Sequence, residues 1–365
     1  MTDIAGVRRL QPAATQLPVS WYIDPVIWEM EKRLIFDAGP RYVGHELMVP
    51  EPGDYRVLDT AGGGKVLVHG PEGVELLSNV CRHRQARMLD GAGRLEQIVC
   101  PLHRWTYDLQ GRLLGAPKFA QTPCLDLPRT ALTRWNGLLF EAGHDVLADL
   151  GGLSMAGDLS FDGYRFDHAM VDHYDVNWKT FIEVYLEDYH VEPFHPGLGR
   201  FVDCDQLHWE FGDRHSVQVV GVNDALARPG SRVYARWHEQ VLRQFGQAPR
   251  HGAIWLTYYP NVMVEWYPHV LVVSTILPRG PERCTNVVEF YYPEEVFFFE
   301  REFIEAERAA YLETAAEDRE ICERMHAGRR ALWERGQDEQ GPYHSPYEDG
   351  MQHFHEFMHR QLSGA

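Results

Sequence analysis

The sequence predicts an α+β chain in which a small all-β domain is followed by a larger domain, an antiparallel sheet covered by helices. From about Arg41 to Ala142, short apolar stretches separated by glycine (Tyr55 to Leu58, Lys65 to His69, Val74 to Leu77, Arg94 to Val99, Leu138 to Glu141) carry the punctuation of short strands. Further on, strand-like runs at Ile254 to Tyr259, Val262 to Trp266, Leu271 to Ile276 and Asn286 to Tyr292 precede a long helical repeat from Glu295 to about Leu332. Between these regions Gly151, Gly152 and Gly157 mark a connection. The expected parts are an N-terminal helical segment over 1–40 that packs on the larger domain, the all-β domain over 41–150 and the larger domain over 151–365.

At the start, Asp24-Pro25 reads as an N-cap with proline at the first helical position, and Ile27, Met30, Leu34 and Ile35 give a helical apolar repeat. The glycines of Gly62-Gly63-Gly64-Lys65 lack the spacing of a phosphate-binding loop and lead into Val66, Leu67 and Val68, so they predict a hairpin turn. In the larger domain a helical segment is expected near Trp178 to Tyr189.

At 365 residues and 44% hydrophobic content the chain can bury a core in each domain. No apolar run has the length of a membrane span and Met1 to Leu10 holds no apolar signal core, which places the expected location in the cytoplasm. The net charge of -18 argues against a nucleic-acid partner. Against that background, Asn79 to Arg112 gathers Arg82, Arg84, Arg87, Arg94, Arg104 and Arg112, a basic island that either steers an acidic partner or is ordinary solvated surface. The cysteines are scattered, without the density of a disulfide framework.

Only Cys81 and Cys100 have histidines at ligand spacing: Cys81-x-His83 is followed, after sixteen residues, by Cys100-Pro101-Leu102-His103. Zinc knuckles usually pair Cys with Cys, whereas each of these loops offers one Cys and one His. That donor set suits a two-iron cluster in which neutral imidazoles replace two thiolates, lowering the negative charge and raising the reduction potential. The stretches Cys81-Arg82-His83-Arg84 and Cys100-Pro101-Leu102-His103-Arg104-Trp105-Thr106-Tyr107 resemble the two loops of the Rieske family, including Trp105 after the second histidine. The resemblance implies a [2Fe-2S] cluster with Cys81 and Cys100 on one iron and His83 and His103 on the other.

A cluster domain alone would make an electron carrier, and 151–365 is left to explain. Between Asn177 and His190, positions Glu183, Glu187 and His190 follow i, i+4, i+7 and would share one helical face. Pro193 is expected to interrupt the helix so that His195 turns back toward His190. Two histidines and one carboxylate form the facial triad of a mononuclear Fe(II) that binds dioxygen. In the long helix the stripe Tyr311, Ala315, Asp318, Cys322 and Met325 faces the core, and Asp318 is its one charge. A buried carboxylate is costly unless paired or metal-bound, so Asp318 is the expected third ligand, while Glu313, Glu317, Glu320 and Arg324 fall elsewhere on the wheel.

This region, with the ending Ser345-Pro346-Tyr347-Glu348-Asp349-Gly350, resembles the catalytic domain of Rieske non-heme iron oxygenases, the ring-hydroxylating oxygenase alpha-subunit family. In that family an acid three residues before the first histidine ligand hydrogen-bonds it and a Rieske histidine of the neighbouring subunit. The resemblance places those roles on Glu187, His190 and His103, with glutamate where aspartate is commoner. Asp188 lies off the expected face, and Glu183 reads as a supporting acid or a helix-surface charge.

The resemblance further implies a terminal oxygenase component fed by a flavin-dependent reductase, directly or through a ferredoxin, assembled as a head-to-tail homotrimer. The reaction implied is dioxygenation or monooxygenation of a small organic substrate, such as an aromatic ring. The alternative is monooxygenation or N-demethylation of a quaternary ammonium compound, betaine-like or carnitine-like, for which Tyr258, Tyr259, Trp266 and Tyr267 could form an aromatic cage if they are not simply core. An electron-transfer protein whose large domain only docks partners is the rival from another class.

Overall fold

A computed structural model describes residues 15–58 and 64–363. The expected turn at Gly62-Gly63 and the segment Met1 to Leu10 lie outside the described residues. The chain divides into two compact units, one of Pro40–Gly151 and one that joins the segment ending at Gly39 to Gly152 onward.

The first unit is built of β-structure. Its five-stranded sheet orders Ala92–Arg94, Asp54–Val57, Lys65–Gly70, Gly73–Ser78 and Arg129–Thr130, and two three-stranded sheets accompany it. Val66, Val68 and Leu77 lie in the same apolar cluster as Cys81, Cys100 and Trp105, so the cluster loops are rooted in the core.

In the second unit a seven-stranded antiparallel sheet forms from β1 (Tyr164–Tyr174), β2 (Val202–Phe211), β3 (His215–Val222), β4 (Ala253–Tyr258), β5 (Val262–Tyr267), β6 (Val270–Gly280) and β7 (Arg283–Pro293). The order is β1-β7-β6-β5-β4-β3-β2: the chain crosses to the far edge after β1 and meanders back. β4 is buried along its whole length and β6 from Val270 to Ile276, which is why these segments read as unbroken apolar runs. The edge strands β1 and β2 mix His, Asp and Glu with apolar residues and gave no clean periodic signal.

The helices of this unit include α1 (Pro25–Glu31), α2 (Trp178–Tyr185), α3 (Val191–Phe194), α4 (Arg232–Phe245), α5 (Arg301–Glu334) and α6 (Asp349–Ser363). Asp24 caps α1, accepting from Val26 N–H at 2.8 Å, and α1 continues into a π-helical turn over Lys32–Phe36. Tyr22 and Ile35 of this segment join Phe181 and Ile182 of α2 and Phe354 and Phe357 of α6 in one core. The long helical repeat is divided, because Glu300 (φ -118, ψ 56) leaves the helical region between Glu294–Phe299 and α5. None of the described helices is long and apolar enough to cross a membrane.

The expected helix to Tyr189 stops four residues early. After Tyr185, Leu186 leaves the helical region, its carbonyl accepting from Met351 N–H at 2.9 Å, and Asp188 N–H donates to Tyr347 O at 3.0 Å. Backbone bonds to the distant 347–351 segment thus replace the next helical turn. Gly350 permits the approach, since a Cβ there would lie 2.9 Å from Leu186 O. Pro193 does not break a helix either: it sits within the one-turn α3, where a proline costs no interior hydrogen bond.

Candidate metal centres and active-site pocket

The two loops of the first unit close in the same way. Cys81 N–H donates to Ala86 O at 2.9 Å and Gln85 N–H to Cys81 O at 3.1 Å; Cys100 N–H donates to Trp105 O at 2.8 Å and Arg104 N–H to Cys100 O at 3.1 Å. Gln85 (φ 54) and Arg104 (φ 61) take the left-handed conformation that makes each turn. The His83 and His103 rings stand 4.6 Å apart, and the buried Trp105 stacks on His83 at 5.0 Å with 6° between planes.

Burial pushes the Cys100 thiol up and the adjoining Cys81 adds to the push. Tyr107 Oη lies 3.7 Å from Cys81 Sγ. His83 Nδ1 is buried without a hydrogen-bond partner. Paired thiols beside paired imidazoles, one with an orphaned buried nitrogen, fit a histidine-ligated [2Fe-2S] cluster.

In the second unit His190, His195 and Asp318 bring one donor atom each within 4.8 Å of one another. His190 Nε2 and His195 Nε2 are 3.0 Å apart, and Asp318 Oδ1 lies 3.0 Å from His195 Nε2 and 3.7 Å from His190 Nε2. Each outer nitrogen meets a carboxylate: His190 Nδ1 contacts Glu187, and His195 Nδ1 pairs with Glu317 at 2.7 Å. These carboxylates turn both Nε2 atoms inward, the arrangement that orients histidines toward a metal. Burial works against a charged His190, but its hydrogen bonds to the Asp318 and Glu187 carboxylates outweigh it and hold the imidazole up at about 10. Burial would likewise raise Asp318, and its bonds to His190 and His195 hold it down. Three convergent donors with carboxylate-anchored imidazoles fit a mononuclear iron.

Glu187 also accepts from His190 N–H at 3.1 Å. Glu183 is placed differently from the expectation. Because α2 ends at Tyr185, Glu183 does not share a face with Glu187 and His190, and it does not line the pocket at the trio. Its buried carboxylate pairs with Arg329 at 2.8 Å and His355 at 2.9 Å and accepts from Tyr22, a core network joining α2, α5 and α6. Glu317, expected to fall away from Asp318 on the wheel, is the partner of His195.

A pocket opens on the trio. Its walls carry Trp237, Trp255, Tyr185, Tyr234, Tyr267 and Tyr311. Of the aromatics proposed as a cage, Tyr267 lines it, while Tyr258 and Tyr259 are fully buried core. Among the described residues lining the pocket there is no lysine or arginine, yet Asp188, Glu265 and Glu307 are there. Glu265 accepts from Tyr267 Oη and Ser274 Oγ, both at 3.0 Å, and burial still raises it to about 7. Glu307 accepts from Tyr292 Oη at 2.5 Å and burial raises it to about 8, with Glu265 adding to the rise. Asp188 is pushed up to about 8 by burial and the nearby Glu187. Among the described residues, the site is acidic and aromatic and holds no lysine or arginine.

Residues 161–364 match the family model of the ring hydroxylating alpha subunit (catalytic domain), and residues 40–126 that of the Rieske [2Fe-2S] domain. The chain is 62% identical to putrescine 2-hydroxylase of Ralstonia nicotianae, over 99% of this chain and 100% of that protein. It is 56% identical to putrescine 2-hydroxylase of Bordetella bronchiseptica (99% and 88%) and 28% identical to choline monooxygenase of Beta vulgaris (94% and 76%). Among solved structures, the quaternary ammonium Rieske monooxygenase CntA superposes with a TM-score of 0.75 at 21% identity, covering 96% of this chain and 95% of that one. Naphthalene 1,2-dioxygenase from Rhodococcus sp. gives 0.73 at 19%, covering 95% and 94%. At such identities the likeness is one of fold.

Proposed function

The chain belongs to the ring-hydroxylating alpha-subunit family of Rieske oxygenases, and from that premise we propose that it hydroxylates a short aliphatic diamine. It is the terminal oxygenase component, an oxidoreductase of the [2Fe-2S] and mononuclear iron type. The pocket carries the substrate reading: Glu265 and Glu307, buried and without a cationic partner, open beside the trio. A buried carboxylate is stabilised by an incoming cation, and Trp and Tyr faces attract ammonium groups while excluding water. The same acids would repel a betaine or carnitine carboxylate. The 62% identity to a putrescine 2-hydroxylase supports the same substrate class.

In the reaction R–H, O2, two electrons and two protons give R–OH and water. Cys81, His83, Cys100 and His103 would hold the cluster, which would supply single electrons, and His190, His195 and Asp318 would hold the iron, which would supply oxygen activation. Glu265 binds one ammonium end, fixing which carbon faces the trio. The aromatic walls keep the chain dry and extended. Glu187 holds the Nδ1 proton of His190, and in the proposed head-to-tail trimer its carboxylate also meets His103 of a neighbouring copy. A flavin-dependent reductase, directly or through a ferredoxin, is the proposed electron donor.

The test is oxygen uptake by the reconstituted enzyme with 1,4-diaminobutane, carnitine and choline. The expected result is diamine-dependent uptake with one oxygen atom added to the product and no formaldehyde. Uptake driven by a trimethylammonium compound with formaldehyde release, and none by the diamine, would overturn the reading.

A further inference from the structure

Among the described residues that line the pocket, Asp188 Oδ2 and Gln218 Oε1 are buried acceptors without a hydrogen-bond partner. Their residues are 3% and 2% exposed. Gln218, on β3, donates through Nε2 to the other carboxylate oxygen, Asp188 Oδ1. With Asp188 ionised, as an incoming cation would make it, this bond fixes the amide, because turning it over would set two acceptor oxygens against each other; Oε1 then stays an acceptor.

The backbone below is equally fixed. Asp188 N–H donates to Tyr347 O at 3.0 Å, and Asp188 O accepts from Val191 N–H at 3.2 Å. Folded proteins satisfy nearly all buried polar atoms, so unsatisfied acceptors on two side chains that are bonded to each other call for a donor that arrives from outside.

We propose that Asp188 and Gln218 form a subsite for one primary ammonium group of the substrate, accepting two of its three N–H donors. The inference rests on the diamine reading above and deepens it. A quaternary ammonium has no N–H and would leave both acceptors unsatisfied. The second ammonium falls to Glu265, which lies on β5. The two anchors thus come from separate elements, Asp188 two residues before His190 in the chain and Glu265 3.5 Å from Tyr311 Oη on the helix that bears Asp318. Substrates with one ammonium group can fill only one of them. Dications are selected over monocations by this pairing.

The experiment is calorimetric titration of the iron-loaded enzyme, without oxygen, using 1,4-diaminobutane and butan-1-amine on wild type, Asp188→Asn and Gln218→Leu. Wild type is expected to prefer the diamine. Asp188→Asn should loosen the diamine about 100-fold and Gln218→Leu about tenfold. The monoamine keeps the Glu265 end and should change by less than about threefold in both. Iron content and cluster absorbance report that the variants are intact. Equal losses for both ligands, or unchanged diamine binding because water fills the subsite, would overturn the proposal. If wild type itself shows no diamine preference, the substrate reading falls and the subsite with it; if wild type prefers the diamine and both variants keep that preference, the subsite falls and the substrate reading stands.

Discussion

His195 donates from Nδ1 to Glu317 Oε2 over 2.7 Å, while Asp318, the next residue on α5, faces the other side of the same ring. One helix therefore supplies both the carboxylate at the metal point and the one that aims a histidine at it. Glu317→Ala is expected to weaken ferrous iron binding about 10- to 100-fold and leave the cluster spectrum unchanged. Iron retention against graded chelator measures it, and retention equal to wild type would remove the orienting role.

Glu187 contacts His190 at both Nδ1 and the backbone N–H. In Glu187→Gln both metals should remain while turnover falls at least about 100-fold. Stopped-flow absorbance should find a cluster that the reductase still reduces but that substrate and oxygen reoxidise slowly. Reoxidation at the wild-type rate is the result that sinks the bridge.

Glu265 is raised from 4.5 to about 7 by burial, so it is largely neutral below that pH and charged above it. A diamine stays doubly protonated throughout that range. Its affinity should therefore rise about tenfold between about pH 6 and pH 8, as Glu265 ionises. Glu265→Gln should weaken binding and flatten the profile; a wild-type profile that is already flat would count against Glu265 as an anchor.

Glu183 is opposed by its own burial, yet Arg329 and His355 hold it down to about 2, against an ordinary 4.5. Its stabilisation is complete above the unfolded value and is lost as pH falls from 4.5 toward 2. Glu183→Ala leaves Arg329 buried without its partner and should cost about 3–5 kcal/mol. Thermal denaturation of the holoprotein reads this, and the folded fraction should keep its KM for the diamine. A changed KM at unchanged stability would return Glu183 to the reaction.

What was legible in the sequence follows what is local. The Cys81 and Cys100 loops are contiguous segments, so residue type and spacing suffice. Asp318 was found because α5 is continuous around it and its burial stripe is regular. Extending that stripe one turn toward the amino terminus from Tyr311 lands on Glu307, and a lone acid inside the apolar run of β5 marks Glu265; both signals were present. The end of α2 was not readable, because it is set by backbone bonds to Tyr347 and Met351. Asp188 was consequently assigned to the wrong face, and Glu317 reaches His195 only through its long side chain and the tertiary placement of α3.

Helix α5 runs unbroken for 34 residues, and Glu307, Asp318 and Arg329 follow one another on it at intervals of eleven. Eleven residues make just over three whole turns and about 16 Å of rise, so these side chains leave the rod in nearly the same direction. One rigid shaft thus spaces an acid of the pocket wall, a proposed iron ligand and the guanidinium that locks the core to α2. Adding or deleting a single residue between any two would swing one about 100° away from the others. The helix can tolerate many exchanges of side chain, but its length between these points is fixed like the pitch of a screw.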